Sequence, residues 1–240
     1  MKIEGKNAVL EAILANTTID RLVVQKGLRD QSSERIINAA KSREIKIFFR
    51  EKSTLDREST TGKHQGFLAE TTDFKYSDLN DILDNAKSNS EQLLLLLDGI
   101  EDPHNLGSII RVAECSGVEG VVIPRHRAAS VNETVIKVSA GATAHVKIAK
   151  VTNINDSIKL LKENGFWIYA CEIGGTELFK NKIHGKVALV VGGENTGVKQ
   201  LTKKLCDATI SIPMYGKLNS LNASVACGIV VYEILRQRMI

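Results

Sequence analysis

Three segments of the 240-residue chain combine polar side chains with glycines at the ends of predicted strands, namely residues 98–111, 189–197 and 210–228. Ligands of open parallel sheets bind at the carboxyl ends of the strands, so these segments hold the candidates for chemistry. They supply no Ser/His/Asp or Cys/His relay, no paired carboxylates and no metal cage. They do supply backbone amides and carbonyls beside Asn, Ser, Glu and Arg side chains. That set suits a small organic cofactor that is itself the activated reagent.

The first segment, DGIEDPHNLGSIIR, leaves a buried strand through a polar loop and enters a helix. Asn105 is expected to cap this helix, and Arg111 lies off its apolar stripe. Gly107 in the first turn costs up to about 1 kcal/mol relative to alanine, which predicts a close approach to the backbone there. A capped helix with a solvated arginine explains the segment equally well.

The second segment, LVVGGENTG, ends a buried strand in a glycine-rich loop with one carboxylate, Glu194. Glycines at a strand end, here Gly192 and Gly193, let backbone groups touch a ligand. The spacing is neither GxGxxG nor a Walker loop, which disfavours a nucleotide-phosphate cradle. An ordinary turn is the alternative interpretation.

The third segment, ISIPMYGKLNSLNASVACG, runs from a strand through a polar loop into a helix. Ser220 and Asn222 are natural helix-starting residues. The helix is slim on one side because Ala223, Ala226 and Gly228 carry little or no side chain. A slim helix packs close to another backbone, either of this chain or of a partner.

The elements around these segments indicate an α/β protein of two regions. Residues 1–72 alternate short helices and strands and form a small α/β unit, and the polar stretch 73–91 is the predicted linker. From residue 92 to 240, strands and helices alternate regularly. Unbroken runs of Val, Ile and Leu indicate strands covered on both faces, and therefore a mainly parallel sheet.

In this order the three segments resemble the signature motifs of the SpoU (TrmH) family of RNA ribose 2′-O-methyltransferases, within the SPOUT superfamily. The matching stretches are NLGSIIR at 105–111, LVVGGENTG at 189–197 and ISIPMYGKLNSLNASVACGI at 210–229. In addition, IEGKNAVLEAI at 3–13 and HQGFLAE at 64–70 resemble the family's RNA-binding domain, which is similar to an L30e-type ribosomal protein. The resemblance covers nearly the whole chain and favours the subgroup that methylates a guanosine of 23S rRNA.

The resemblance implies a C-terminal trefoil knot, S-adenosylmethionine as the cofactor, and a homodimer with its active site at the subunit interface. It also implies a structured RNA substrate, with rRNA as the first expectation, and a cytoplasmic location. It assigns the catalytic roles to Arg111, Asn105, Glu194, Ser220 and Asn222. It assigns cofactor binding to Gly192, Gly193, Ile212, Met214 and Leu221.

Two interpretations of Arg111 stay open. An arginine is normally protonated, so it acts as a base on the ribose hydroxyl only where a neighbouring group or phosphate lets it lose a proton. The other role is a bidentate contact to an RNA phosphate that orients the hydroxyl. The motifs depart from the family pattern at Asn195, where glycine is usual, and at Ala223, where valine is usual.

The composition adds weak constraints. A formal net charge of +4 permits a polyanionic partner without requiring one. Four cysteines without a CxxC pair are expected to be reduced, buried thiols of a cytosolic protein, and five scattered histidines predict no metal site. The longest aliphatic run, 93–97, is too short to span a membrane. The cluster at 125–127, Arg-His-Arg, and the basic residues of the N-terminal region are candidates for RNA contact.

Other functions compete with this one. A tRNA ribose methyltransferase or an antibiotic-resistance rRNA methyltransferase would share the chemistry. A non-catalytic RNA-binding protein would share the fold, although the presence of Asn105, Arg111, Glu194 and Asn222 argues against it. A nicotinamide-dependent enzyme is disfavoured by the missing GxGxxG. Neither a membrane nor DNA is an expected partner.

Overall fold

A computed structural model describes residues 2–15, 17–71, 74–86, 90–194 and 196–239. The chain divides into two compact units, Met1–Lys75 and Tyr76–Ile240. Both are α/β, as the sequence predicts. Among the described helices, none is long and apolar enough to cross a lipid bilayer.

The first unit is a four-stranded sheet with helices packed against it. Its sheet order is β1–β4–β2–β3, in which only β2 and β3 are parallel. Val9 and Ile13 of the first helix and Ile36 of the second lie with Phe67 in one core. The short elements β1 and α3 were not predicted, because three to seven residues give little periodicity. The elements are β1 (Lys2–Glu4), α1 (Lys6–Leu14), β2 (Ile19–Gln25), α2 (Gln31–Ser42), β3 (Ile47–Arg50), α3 (Lys52–Glu58) and β4 (Phe67–Thr71).

The two N-terminal stretches that carry the family resemblance contact each other. Ile3 lies opposite Ala69 in the antiparallel β1–β4 pair, and the Lys6 amide donates to Gln65 Oε1 at 3.1 Å. His64 is only 4% exposed, with Nε2 at 2.8 Å from Asp56 Oδ1 and Nδ1 accepting from the Gly66 amide at 2.9 Å. Both ring nitrogens are therefore engaged in holding this turn.

The second unit is a six-stranded, wholly parallel sheet in the order β10–β8–β9–β5–β6–β7. Every residue of β5 and β6 is buried, as the unbroken aliphatic runs predict. The trefoil knot stays a prediction. The elements are α4 (Leu79–Ala86), β5 (Gln92–Asp98), α5 (Pro103–Cys115), β6 (Gly120–Pro124), α6 (Glu133–Val138), β7 (Ile148–Val151), α7 (Ile154–Glu163), β8 (Trp167–Glu177), β9 (Lys186–Gly192), α8 (Gln200–Leu205), β10 (Ala208–Ser211) and α9 (Ala223–Arg238).

The strand order contains a reversal at β5. The chain proceeds from β5 outward to β6 and β7, and then returns to the other side of β5 to form β8, β9 and β10. The crevice of an open parallel sheet opens at such a reversal, beyond the carboxyl ends of the strands. Here the neighbouring strand ends are Asp98 of β5 and Gly192 of β9, which lie opposite each other in register.

The stretch 73–91, predicted as a linker that is only weakly helical at 79–86, contains a helix that packs in the core of the second unit. Leu79, Ile82 and Leu83 of α4 are buried in the core cluster that includes Leu94 and Val122. Their i, i+3, i+4 spacing gives the helix one apolar edge despite the polar composition around it. The described part of the second unit therefore begins at Tyr76, ahead of residue 92.

The start of α5 also differs from the prediction. Asp102, not Asn105, caps the helix, since its Oδ1 accepts from the His104 amide at 2.9 Å and Pro103 occupies the first turn. Asn105 is an internal, buried residue of the helix. The predicted close approach at Gly107 is confirmed, and the approaching group is helix α6. A Cβ at Gly107 would lie 2.7 Å from Val138 Cβ and 3.1 Å from the Val135 carbonyl oxygen.

We expect Gly107→Ala to destabilise the second unit by about 1–3 kcal/mol, because the added methyl group overpacks the α5–α6 contact. Chemical denaturation measures this loss. The double variant Gly107→Ala/Val138→Ala is the matched control. It should recover only the part of the loss that comes from Val138 Cγ1, which would lie 2.9 Å from the added methyl group, because alanine keeps the Cβ. Equal stability of Gly107→Ala and the wild type would contradict the packing argument.

Candidate active site

The glycine loop after β9 folds back on itself at the crevice. The Gly193 amide donates to the Asp98 carbonyl at 3.2 Å, and the Gly197 amide donates to the Gly193 carbonyl at 2.9 Å. A Cβ at Gly192 would lie 2.1 Å from the Gly197 carbonyl carbon, and one at Gly193 would lie 2.4 Å from the Gly99 carbonyl oxygen. Backbone crowding therefore requires glycine at both positions. Asn195, the departure from the family motif, lies outside the described residues.

Three of the sequence-predicted residues meet in one hydrogen-bonded cluster. Glu194 Oε1 accepts from Asn105 Nδ2 at 3.0 Å and from Asn222 Nδ2 at 2.8 Å. Asn222 Nδ2 also lies 2.8 Å from Asn105 Oδ1. The cluster joins α5, the glycine loop and the start of α9, which are far apart in the sequence. We call it the Asn–Glu–Asn cluster.

Asn222 has a second role as the N-cap of α9. Its Oδ1 accepts from the Ser224 amide at 2.9 Å and from the Val225 amide at 3.3 Å. Because the oxygen is committed to the cap, the amide nitrogen has to face Asn105 and Glu194. The prediction that Asn222 starts the helix is confirmed, whereas Ser220 lies in the loop before it.

A cavity of about 580 Å³ opens beside this cluster. All five residues predicted to bind the cofactor line it, and so do Glu194 and Ser220. Main-chain groups of the glycine loop and apolar side chains share the wall, as in sites for small organic ligands, which span roughly 300–1,000 Å³. The lining residues that matter here are Glu172, Gly192, Gly193, Glu194, Ile212, Met214, Ser220 and Leu221.

Arg111 does not join these residues. It is exposed on α5 and is absent from the cavity lining. Six residues separate it from Asn105, and at about 100° per residue the two side chains point roughly 120° apart on the helix. Since Asn105 faces the cluster, Arg111 of the same chain points elsewhere.

Sequence reasoning missed two carboxylates that hold the glycine loop. Asp98 is 1% exposed, forms an ion pair with the Lys199 ammonium, and accepts from the Lys199 amide at 3.1 Å. Glu172 lines the cavity and accepts from the Val198 amide at 2.8 Å. Asp98 follows the aliphatic run of β5 at its strand end, and that position is a signal in the sequence that could have indicated it. Glu172 follows Cys171 within β8 and has no comparable signal.

Thiol chemistry is disfavoured at this site. All four cysteines are free, but Cys115 is exposed and so contradicts the expectation of four buried thiols. Cys171 lines the cavity, and burial, with a smaller contribution from the Glu172 charge, raises its pKa to about 11. It is therefore protonated at neutral pH and is a poor nucleophile. No cluster of three His, Cys, Asp or Glu side chains suited to a metal occurs in the described ranges.

We expect Cys171→Ala to retain the methyl transfer that the motif resemblance implies, within about twofold of the wild type, because a thiol with a raised pKa contributes no nucleophile. Methylation assays on the purified variant test this expectation. Alkylation with iodoacetamide should label the exposed Cys115 before Cys171. A loss of more than about tenfold in Cys171→Ala would give the thiol a role in the reaction.

Comparison with known families identifies the class. Residues 92–232 match the SpoU rRNA Methylase family, and residues 2–77 match the family described as RNA 2′-O ribose methyltransferase substrate binding. The chain is thus of the RNA methyltransferase class. The chain belongs to the SpoU (TrmH) family, as the sequence motifs predict.

Individual relatives agree with this assignment. A protein of Staphylococcus aureus (strain COL), named a TrmH family tRNA/rRNA methyltransferase, is 40% identical over 98% of this chain and 96% of its own. The SpoU methyltransferase AviRb of Streptomyces viridochromogenes, solved in complex with AdoMet, shares the fold with a TM-score of 0.64 and 22% identity, covering 100% of this chain and 90% of its own. The TrmH/SpoU tRNA modifying enzyme of A. aeolicus is 30% identical with a TM-score of 0.57, covering 67% of this chain and 82% of its own.

Proposed function

We propose that this protein transfers the methyl group of S-adenosylmethionine to a ribose 2′-hydroxyl of structured RNA, with a guanosine of 23S rRNA as the target. The observation that carries this proposal is the cavity beside the Asn–Glu–Asn cluster, at the reversal of the strand order next to β5. The AdoMet complex of AviRb supports the choice of cofactor.

The residues of the cavity fit this cofactor. Main-chain groups around Gly192, Gly193 and Ile212 would bind the polar edges of the adenosine and methionine parts. Met214 and Leu221 would cover the apolar surface. When bound, the cofactor supplies an electrophilic methyl on a sulfonium, whose sulfur departs as a neutral thioether. The leaving group then needs no acid, so the protein's task is to prepare the ribose oxygen.

The chain's own polar groups prepare that oxygen. Glu194 uses Oε1 for both asparagines and lines the cavity with Ser220, so its carboxylate would accept or orient a hydroxyl proton there. Asn105 and Asn222 keep the carboxylate in place. Arg111 would neutralise the RNA phosphate and orient the hydroxyl, or would take the hydroxyl proton after first losing its own to a neighbouring group or phosphate. Both roles place it against the target nucleotide.

The position of Arg111 supports a homodimer whose active site contains residues of both chains. Arg111 is exposed on α5 and outside the cavity of its own chain, so a second copy could place its arginine there. Large apolar side chains of the loop before α9 and of α9 itself remain exposed: Tyr215 at 93%, Leu218 at 82% and Tyr232 at 51%. Exposed apolar surface of this kind favours an interface. A two-fold dimer would bury it symmetrically.

RNA binding is assigned to the first unit and to the basic cluster after β6. Arg125, His126 and Arg127 are all exposed and follow the strand next to β5, on the carboxyl side of the sheet. The substrate-binding family match over residues 2–77 supports the role of the first unit.

We expect the double variant Arg125→Gln/Arg127→Asn to weaken RNA binding without changing cofactor affinity. Asparagine is chosen at 127 because that residue has a φ of 54°, which asparagine tolerates. The slope of log K against log salt should fall by about 0.7–0.9 for each phosphate that the variant no longer neutralises. Lys159→Gln, which removes an exposed lysine of α7, is the control. An unchanged slope would remove the cluster from the RNA interface.

The target is tested by mapping labelled methyl groups on RNA from cells that lack or carry the protein. A ribose methyl on a 23S rRNA guanosine that disappears with the gene supports the proposal. A missing methyl on tRNA would instead establish the second candidate, a tRNA ribose methyltransferase, which the similarity to the A. aeolicus enzyme favours. Calorimetry with S-adenosylmethionine separates both from a non-catalytic RNA-binding protein, which would bind no cofactor.

A further inference from the structure

Two carboxylates from separate strands hold consecutive amides at the end of the glycine loop. The Val198 amide donates to Glu172 Oε2 at 2.8 Å, and the Lys199 amide donates to Asp98 Oδ2 at 3.1 Å. Glu172 comes from β8 and Asp98 from the end of β5. The end of the glycine loop, at Val198 and Lys199, is therefore held by carboxylates from two different strands.

The glycine loop also packs closely against the Glu172 carboxylate. Gly197 has a φ of 60°, and a Cβ there would lie 2.3 Å from Glu172 Oε2. At the other end of the loop, the Asp98 carbonyl accepts from the Gly193 amide. The path between these two anchored ends contains Glu194, the centre of the Asn–Glu–Asn cluster.

We propose that Glu172 and Asp98 are positioning residues that set the conformation of the described loop residues 193–194 and 196–198, and through them both the cavity wall and the Glu194 carboxylate. We call the two carboxylates and the amides they accept from the clamp. The inference rests on the proposed function for its cofactor and adds two residues that the motifs do not include. Glu172 acts through its hydrogen bond to the Val198 amide rather than through an ion pair. Asp98, in contrast, is paired with Lys199.

This difference makes Glu172 the better position to test. Asp98 is 1% exposed, so replacing it would strand the Lys199 ammonium and threaten folding. Glu172 has no salt-bridge partner within the described part of the chain, so its removal leaves no unpaired cation. Glu172→Gln keeps an amide oxygen that can accept from Val198, whereas Glu172→Ala keeps none. Glu177→Ala, on the same strand but outside the loop contacts, is the matched control.

Three measurements on the full chain test the clamp: hydrogen exchange at the Val198 amide, calorimetric affinity for S-adenosylmethionine and S-adenosylhomocysteine, and thermal unfolding. Glu172→Ala should raise the exchange rate at Val198 more than about tenfold, because that amide loses its partner. It should weaken both ligands about tenfold, which corresponds to about 1.4 kcal/mol. Glu172→Gln should stay within about threefold of the wild type in affinity, and Glu177→Ala should match the wild type.

The outcomes separate the clamp from a general loss of structure and from the proposed function. Unchanged Val198 exchange and unchanged affinity in Glu172→Ala would overturn the inference. A fall in thermal stability that Glu172→Gln does not rescue would reduce Glu172 to a structural residue and would also overturn it. If the wild type binds neither S-adenosylmethionine nor S-adenosylhomocysteine, the proposed function fails. Hydrogen exchange at Val198 then decides alone whether Glu172 holds the loop.

Discussion

Arg111→Ala is expected to lower the rate of methyl transfer by about 10²–10⁴, the range that a positioned proton-transfer or orienting group contributes. Affinity for S-adenosylmethionine should change by less than about twofold, because Arg111 does not line the cavity of its own chain and its proposed role is at the RNA rather than at the cofactor. Single-turnover methylation and calorimetry measure the two quantities. Lys159→Ala, which removes an exposed cation of α7, is the control and should leave the rate unchanged. Full methylation by Arg111→Ala would remove this arginine from the mechanism.

Mixed dimers of Arg111→Ala and Asn222→Ala test whether the active site contains residues of both chains. If Arg111 of one chain serves the Asn–Glu–Asn cluster of the other, half of the sites in a mixed dimer are intact. Random mixing then restores about a quarter of wild-type activity, since half of the dimers are mixed. If each chain uses its own arginine, every site carries a defect and no activity returns.

The candidate site could be located from sequence because its residues are unusual for simple packing. Two adjacent glycines at the end of a buried strand, and asparagines at the starts of two helices, indicated the glycine loop, Asn105 and Asn222. The structure brings the two asparagines together at Glu194. Their exact partners could not be predicted, because the contacts join segments 89 and 117 residues apart along the chain.

Other features could not be predicted from the sequence, and the reasons are physical. Asp98 ends the aliphatic strand β5, and Glu172 lies within β8 after Cys171. A carboxylate at either position is ordinarily exposed, and only the tertiary fold brings backbone amides to these two. Helix α4 was assigned to a linker because its polar composition outweighed three apolar residues at helical spacing. Asp102 was passed over as the cap of α5 because Asn105 lies closer to the apolar stripe, although Pro103 marks the first turn.

Asn222→Ala is expected to reduce both stability and methyl transfer, because Asn222 caps α9 and joins the Asn–Glu–Asn cluster. Loss of an N-cap costs about 0.5–2 kcal/mol. Loss of its amide donor leaves Asn105 Oδ1 without that partner and frees one side of Glu194 to move. Transfer should fall by about 10²-fold or more as the carboxylate loses its fixed position.

Asn222→Asp separates the two roles. Aspartate caps a helix as well as asparagine does. The change of capping residue alone should therefore alter the free energy of unfolding by less than about 0.5 kcal/mol relative to the wild type. In the cluster, however, a second carboxylate would face Glu194 and could not donate to it, so transfer should remain as low as in Asn222→Ala. Chemical denaturation and single-turnover assays on both variants provide the comparison. If Asn222→Asp is fully active, the hydrogen bond from Asn222 to Glu194 has no part in the reaction and the residue serves only as a helix cap.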